Sequence, residues 1–351
     1  MQKQMLRTCL LAFSVYTLIT AAAAQSPIPS WHGSFTYDKT YTYTMIGANP
    51  NLQNANGTTI IPVKIIPVTF TYTANGQTII FDPNTPFCGA GTSGLTTVTN
   101  SPLFQSYPFY ASPSPFGGGL TFVGNTQYVD AFQRANFWGL IAQYERSSSE
   151  YHVKFGLPQL LAPRNFNIAP GDGSSPVVVD RQTPCGTEKM LTISNMPLLI
   201  NDIIVNQLGI GNDNTTLYIF LTRNTQFVTN IGTVGGSHSQ GSPNGITFVN
   251  ASIADPGVFA APQQDVYFLA HELAEWTDDP YSPPFNGAPA CVGGVLEVAD
   301  PVNGTGMSVF ANGFTYNLPD LVFLTWFARG APNPASGGYT FFGANPQTTC
   351  P

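Results

Sequence analysis

His271-Glu272-Leu273-Ala274-Glu275-Trp276-Thr277-Asp278-Asp279-Pro280 sets one imidazole and four carboxylates within nine positions. Val266, Leu269, Leu273 and Trp276 recur through this region at helical spacing and make one apolar stripe. At about 100° per residue, His271, Glu275 and Asp278 fall within about 60° of one another on the opposite side, flanked by Glu272. Pro262 suits a first helical position and Asp265 suits the first turn, so a helix is expected over 262–279, ending at Pro280. Phe268 shares the polar side, which fits the wall of a cleft better than open solvent. The plain alternative is an amphipathic helix with an acidic wet face. Against it, like charges at i, i+3 and i+4 repel, and a wet face ordinarily mixes signs.

No Lys or Arg lies between Arg223 and Arg329, an interval that holds nine acids. Carboxylates crowded in this way need a counter-charge or must take up protons, and a bound divalent cation is a natural candidate. His271 and Glu275, one helical turn apart, can grip one ion together.

His-Glu-x-x-His on a helix is the zincin metallopeptidase signature, in which two His bind zinc and the Glu activates water. The present stretch resembles it with Glu275 at the second ligand position, a His-Glu-x-x-Glu variant. It also resembles a group of secreted bacterial proteins marked by His-Glu-Leu-Ala-Glu followed by Asp-Pro, matched here by His271 to Glu275 and by Asp279-Pro280. That group carries a Gly-x-His-Ser loop upstream, matched by Gly236-Ser237-His238-Ser239, and an acidic element downstream, matched by Glu297-Val298-Ala299-Asp300. More distantly, residues 215–327 are similar to the plant Exordium or phosphate-induced extracellular proteins. Those share the Gly-x-His loop and an Asn-Pro near the helix end but lack the His-Glu pair.

The zincin resemblance implies Zn2+, with His271 and Glu275 as ligands and Glu272 as the general base. A catalytic zinc takes three protein ligands and keeps one position open. The third would be His238, delivered by a flexible Gly/Ser loop, or Glu297, which with Asp300 is similar in outline to the downstream Glu and Asp of the gluzincin branch. Otherwise His238 is an exposed loop histidine and Glu297 a solvated loop acid. Asp279 or Asp300 would orient His271 from behind. Ca2+ is the rival ion, drawing oxygens from Asp278, Asp279, Glu297, Asp300 and backbone carbonyls.

The remaining composition narrows the class. Lys3 and Arg7, the apolar run from Cys9 to Thr20 and Ala22-Ala23-Ala24 read as a secretory signal peptide over residues 1–24, which places the mature protein in an extracellular or periplasmic setting. Its removal takes two positive charges from a chain of net charge −7, leaving −9. An acidic chain without basic runs is a poor partner for nucleic acid, and no other run of about 18 apolar residues offers a membrane span. Charged residues are only 9% of the chain, against about 25% in ordinary globular proteins, so solubility falls to Asn, Thr, Ser and Gln. Cys88, Cys185, Cys291 and Cys350 remain after cleavage, an even number that suggests two disulfides with the pairing open. A Gly-x-Ser-x-Gly elbow and a phosphate-binding Gly-Lys-Ser/Thr loop are both absent from the sequence.

Thr58 to Thr73, then Asn75-Gly76, then Thr78 to Phe81 give a hairpin signal. Residues 82–125 are Gly-, Pro- and Ser-rich and are expected to be loop. Helices are expected over 126–144 and 197–208, and strands over 215–222 and 246–249. The fold class expected is α+β: a β-rich N-terminal part plus a zincin-like C-terminal part with a metal-binding helix. The N-terminal region would span 25–163 and the C-terminal region 187–351, with 164–186 as linker, unless the whole forms one continuous domain. The function expected is a secreted metal-dependent hydrolase, a peptidase acting on peptide or protein substrates. The alternative is a non-catalytic extracellular or cell-surface protein of Exordium type whose ion stiffens the fold.

Overall fold

The computed structural model describes residues 26–347 apart from 53–56, 113–118, 145–150, 172, 174, 230–231, 240–244 and 282–286. The expected leader, residues 240 and 241 at the end of the Gly/Ser loop, and Cys350 lie outside these residues.

Pro62 lacks an N–H and divides the first β-branched run into two strands, Gly57–Ile61 and Val63–Ala74. The second reverses at Asn75 and Gly76, both left-handed at φ 50° and 76°, and pairs antiparallel with Gln77–Phe81. Positive φ at both central residues is what a two-residue hairpin turn requires, so the hairpin forms as expected.

Val63–Ala74 is also the hub of the largest sheet. Arg164–Ile168 and Leu217–Arg223 flank it in parallel. Phe248–Ile253 follows in parallel, and Gly236–His238 closes the edge antiparallel. Alternation along Leu217–Arg223 sends Leu217, Ile219 and Leu221 into one apolar core with Val249, Ala251 and Ile253. It sends Tyr218 and Phe220 into a second core with Ile66, Val68 and Phe70. The helix Met196–Asp202 and the π-helical turn Ile203–Leu208 cover that second face through Met196, Ile200 and Ile203. With both faces covered, each such side chain contributes about 1.5–3 kcal/mol by leaving water, and the strands read as near-continuous apolar runs.

Several expected loops are ordered structure. Within 82–125 lie a short helix, Gly94–Thr99, and an antiparallel pair, Tyr107–Ala111 with Thr121–Thr126. Ser93 caps the helix by accepting from the Thr96 N–H at 3.2 Å. The stretch 164–186 is not a bare linker. It holds Arg164–Ile168 and Val177–Thr183, and the former joins a sheet whose strands come from both expected regions. The helix expected over 126–144 is two, Tyr128–Asn136 and Trp138–Tyr144, broken at Phe137. Strand outweighs helix throughout, so the fold is broadly α+β and β-rich. Cys88 and Cys185 form a disulfide, and Cys291 is also disulfide-bonded. Among the described residues, no helix is long and apolar enough to cross a membrane.

Candidate metal centre

The signature helix runs from Tyr267 to Asp278, five residues later than the Pro262 start expected from sequence. Asp265 explains the difference. It sits in the left-handed region at φ 45° and pairs with Ala254, so the chain cannot be helical there. Its carboxylate accepts from the Val266 N–H at 2.6 Å, the Asn317 N–H at 2.9 Å and the Asn317 side-chain amide at 2.6 Å. Asp265 therefore pins the chain at the helix start rather than answering the helix dipole from within the first turn. Burial pushes its carboxyl up to about 7, against the pull of these three donors. Pro280 ends the helix as expected, with the Asp279 N–H closing on the Glu275 carbonyl at 2.6 Å.

The stripe of Val266, Leu269, Leu273 and Trp276 packs into the first core. The opposite side is also buried. His271 is 7% exposed, Glu272 6% and Glu275 3%, which overturns an acidic wet face. Phe268, expected on a cleft wall, lines one, its ring edge-to-face with Phe259 at 5.1 Å. Asp278 leaves the group. One turn further on, the helix Tyr128–Asn136 crosses, and Asp278 accepts from the Gln133 amide there, with burial pushing its carboxyl up to about 8.

The cleft beside the helix has a volume of about 660 Å3. His238 reaches it from the edge strand Gly236–His238, where it stands opposite Val249. The flexible loop expected to carry His238 is in this part a strand, which fixes the imidazole instead of leaving it to search. Two glycines allow the strand to approach the helix so closely. A Cβ at Gly235 would lie 2.5 Å from the Phe268 ring, and one at Gly236 would lie 2.6 Å from Cγ of Glu272. The Gly-Gly pair in front of Ser-His was the sequence signal for this contact. Gly236→Ala is expected to cost about 1–3 kcal/mol of stability, because its methyl group overlaps Glu272 and forces that buried side chain from its position. Thermal unfolding checks this, and an unchanged melting temperature would mean that Glu272 has a second rotamer at no cost.

The side chains converge as follows. His271 Nε2 lies 3.1 Å from Glu275 Oε1 and 3.4 Å from Asp300 Oδ1. His238 Nδ1 lies 3.4 Å from Glu272 Oε2 and 3.9 Å from Glu275 Oε2, and its Nε2 lies 3.9 Å from Glu297 Oε2. Glu275 Oε1 accepts from the Ala299 N–H at 3.2 Å, which ties the helix to the segment carrying Glu297 and Asp300. The ligand-capable atoms form two triads, His238–Glu275–Glu297 and His271–Glu272–Glu275, each spanning no more than 4.8 Å. Asp300 stands on the Nε2 side of His271, beside Glu275, rather than behind the ring at Nδ1 where an orienting carboxylate belongs. Asp279 is buried at the helix end, and its charge reaches Glu297.

Electrostatics reflect the crowding. Burial opposes charge on His238, but the Glu272 hydrogen bond and the nearby Glu297 and Glu275 charges push it up to about 10. His271 is likewise held well above the ordinary range: burial opposes the charge, and Glu275 and Asp300 overcome it. Burial raises Glu272 despite its bond with His238, and burial together with the Glu275 charge raises Glu297. Asp300 is lowered by its hydrogen bond with His271. Among the described residues, no Lys or Arg lines the cleft to supply a positive charge.

In comparison with known proteins, no family model, no curated protein and no solved structure matches this chain.

Proposed function

We propose that this chain is a metal-dependent hydrolase, a peptidase with a variant His-Glu-x-x-Glu helix, acting outside the cytoplasm. The observation that carries the reading is convergence. A helix supplies His271 and Glu275, an edge strand supplies His238 and a following segment supplies Glu297, all meeting at one open cleft with Glu272 beside them. Their donor set mixes two imidazoles with carboxylates, which suits zinc. Calcium wants six to eight oxygens and has no use for two buried imidazoles at the centre. The fit is supported by His238 Nε2 and Glu297 Oε2, both buried and without a hydrogen-bond partner.

His271 and Glu275, with His238 or Glu297 as the third ligand, would hold the ion and leave one position open. When bound, zinc supplies Lewis-acid polarisation of a carbonyl and lowers the pKa of water. Glu272 would take the proton: it lines the cleft, and burial raises its carboxyl above the ordinary range. His238 holds that carboxylate in position. Phe259 and Phe268 present an apolar wall, and the strand Gly236–His238, at the end of its sheet, offers an extended peptide a backbone to pair with.

Glu272→Gln is expected to lower peptide hydrolysis about 100- to 10,000-fold while metal content stays the same. A protease assay on the zinc-loaded protein, with elemental analysis of both forms, tests this. Wild-type protein that holds zinc but cleaves no peptide would favour the rival reading, a non-catalytic extracellular protein stiffened by its ion.

A further inference from the structure

We infer that the cleft holds two divalent ions bridged by the carboxylate of Glu275, not one. The two oxygens of this carboxylate face different histidines: Oε1 lies 3.1 Å from His271 Nε2 and Oε2 lies 3.9 Å from His238 Nδ1. One ion sits between His271 and Glu275 Oε1, with Asp300 Oδ1 3.4 Å from the same imidazole nitrogen. The other takes one nitrogen of His238 together with Glu275 and Glu297, which offer ligand atoms within 4.8 Å of one another. Glu275 is the one member common to both triads of ligand-capable atoms. A carboxylate shared in this way suits ions about 3.5–4 Å apart.

Two unpartnered atoms mark the second position. His238 has a side chain only 5% exposed, and its Nε2 has no hydrogen-bond partner. It faces Glu297 Oε2, also without one, across 3.9 Å. That separation is too long for a hydrogen bond but short enough for two ligands of one ion with bonds of about 2.0–2.2 Å.

Charge decides between one ion and two. Glu272, Glu275 and Glu297, with the exposed Asp300 at the rim, bring four carboxylates to a cleft lined by no Lys or Arg among the described residues. One divalent ion beside neutral imidazoles would leave two negative charges, at least one of them on a buried carboxylate, a costly state in low dielectric. Two ions balance all four. Glu272 then lies close to both positions without being needed as the bridge. The inference shares with the proposed function only the premise that the cleft binds metal, and it does not depend on the reaction.

The test is metal stoichiometry on the purified chain, stripped with chelator and dialysed against Zn2+ alone or Mn2+ alone. Two equivalents of Zn2+ per chain are expected, falling to one in His238→Ala and one in His271→Ala. The Mn2+ form should give the exchange-coupled paramagnetic resonance spectrum of paired ions. Near-UV circular dichroism checks that each variant is folded, and the wild-type count stands without them. A single equivalent in wild type, lost in both variants, overturns the pair and leaves the one-ion hydrolase intact. Two equivalents untouched by either variant, or an uncoupled Mn2+ spectrum, also overturn it. No retained metal would sink this inference and the metal-dependent reading together.

Discussion

On the proposed metal reading, Glu275→Gln is expected to weaken divalent-metal binding by about 100–4000-fold. Removing one partner from a buried charge pair costs about 3–5 kcal/mol, and each 1.4 kcal/mol is about tenfold in affinity. Glu275 is 3% exposed, sits within reach of both histidines and is tied to the Ala299 N–H. Glutamine keeps the shape but brings no charge, and its N–H group would point at one of the positions an ion needs. Stability should fall in chelator as well. With no metal present, Glu275 is the buried carboxylate that holds the His271 imidazolium, so the stripped variant should melt below stripped wild type at neutral pH. Bound metal stabilises the folded state in proportion to the logarithm of its concentration over its dissociation constant. The rise in melting temperature on adding Zn2+ should therefore be large in wild type and nearly absent in the variant. Equal rises in both would remove Glu275 from the metal centre.

Asp255→Ala should cost about 3–5 kcal/mol of stability, without involving the cleft. Asp255 is 1% exposed and accepts from Arg223 Nη2 at 2.6 Å, the Asn224 amide at 2.9 Å and the Cys88 N–H at 2.9 Å. Arg223 in turn donates to the carbonyls of Thr85 at 2.6 Å and Pro86 at 2.9 Å and lies over the Phe87 ring. This cluster joins the ends of two sheet strands to the segment that carries the Cys88–Cys185 disulfide. Deleting the carboxylate strands a buried guanidinium, which cannot shed its charge. Thermal unfolding should shift down by about 10 °C. Adding Arg223→Met should recover part of the loss, because it removes the charge left behind. A shift under about 2 °C for Asp255→Ala would mean that water reaches Arg223 once the carboxylate is gone.

The parts of the fold legible in sequence are those with local causes. Asn75-Gly76 can adopt two left-handed conformations, so the hairpin of Val63–Ala74 with Gln77–Phe81 was readable from a few residues. The helix end at Pro280 and the one-turn spacing of His271 and Glu275 needed nothing beyond the chain's own stereochemistry. The segments misread as loops have distant causes. Arg164–Ile168 is a strand because Val68 to Tyr72 lies alongside it. Tyr107–Ala111 contains Pro108 yet pairs with Thr121–Thr126 across a stretch that looks irregular. The strand Gly236–His238 has two residues of low β-propensity out of three. It forms because Phe248–Ile253 offers it an edge and the helix leaves room only for glycine.

The same division runs through the candidate site. Sequence alone determined which residue types are crowded together and that no basic residue lies near them in the chain, because charge and helical periodicity are properties of neighbours. Tertiary structure decided which of those acids belong together. It turned Asp278 toward Gln133, set Asp300 beside the Nε2 of His271 and brought His238 and Glu297 to opposite sides of one gap. Those outcomes depend on how the sheet edge, the helix and the segment after Gly293 pack, and packing joins residues whose separation along the chain carries no record of their distance in space.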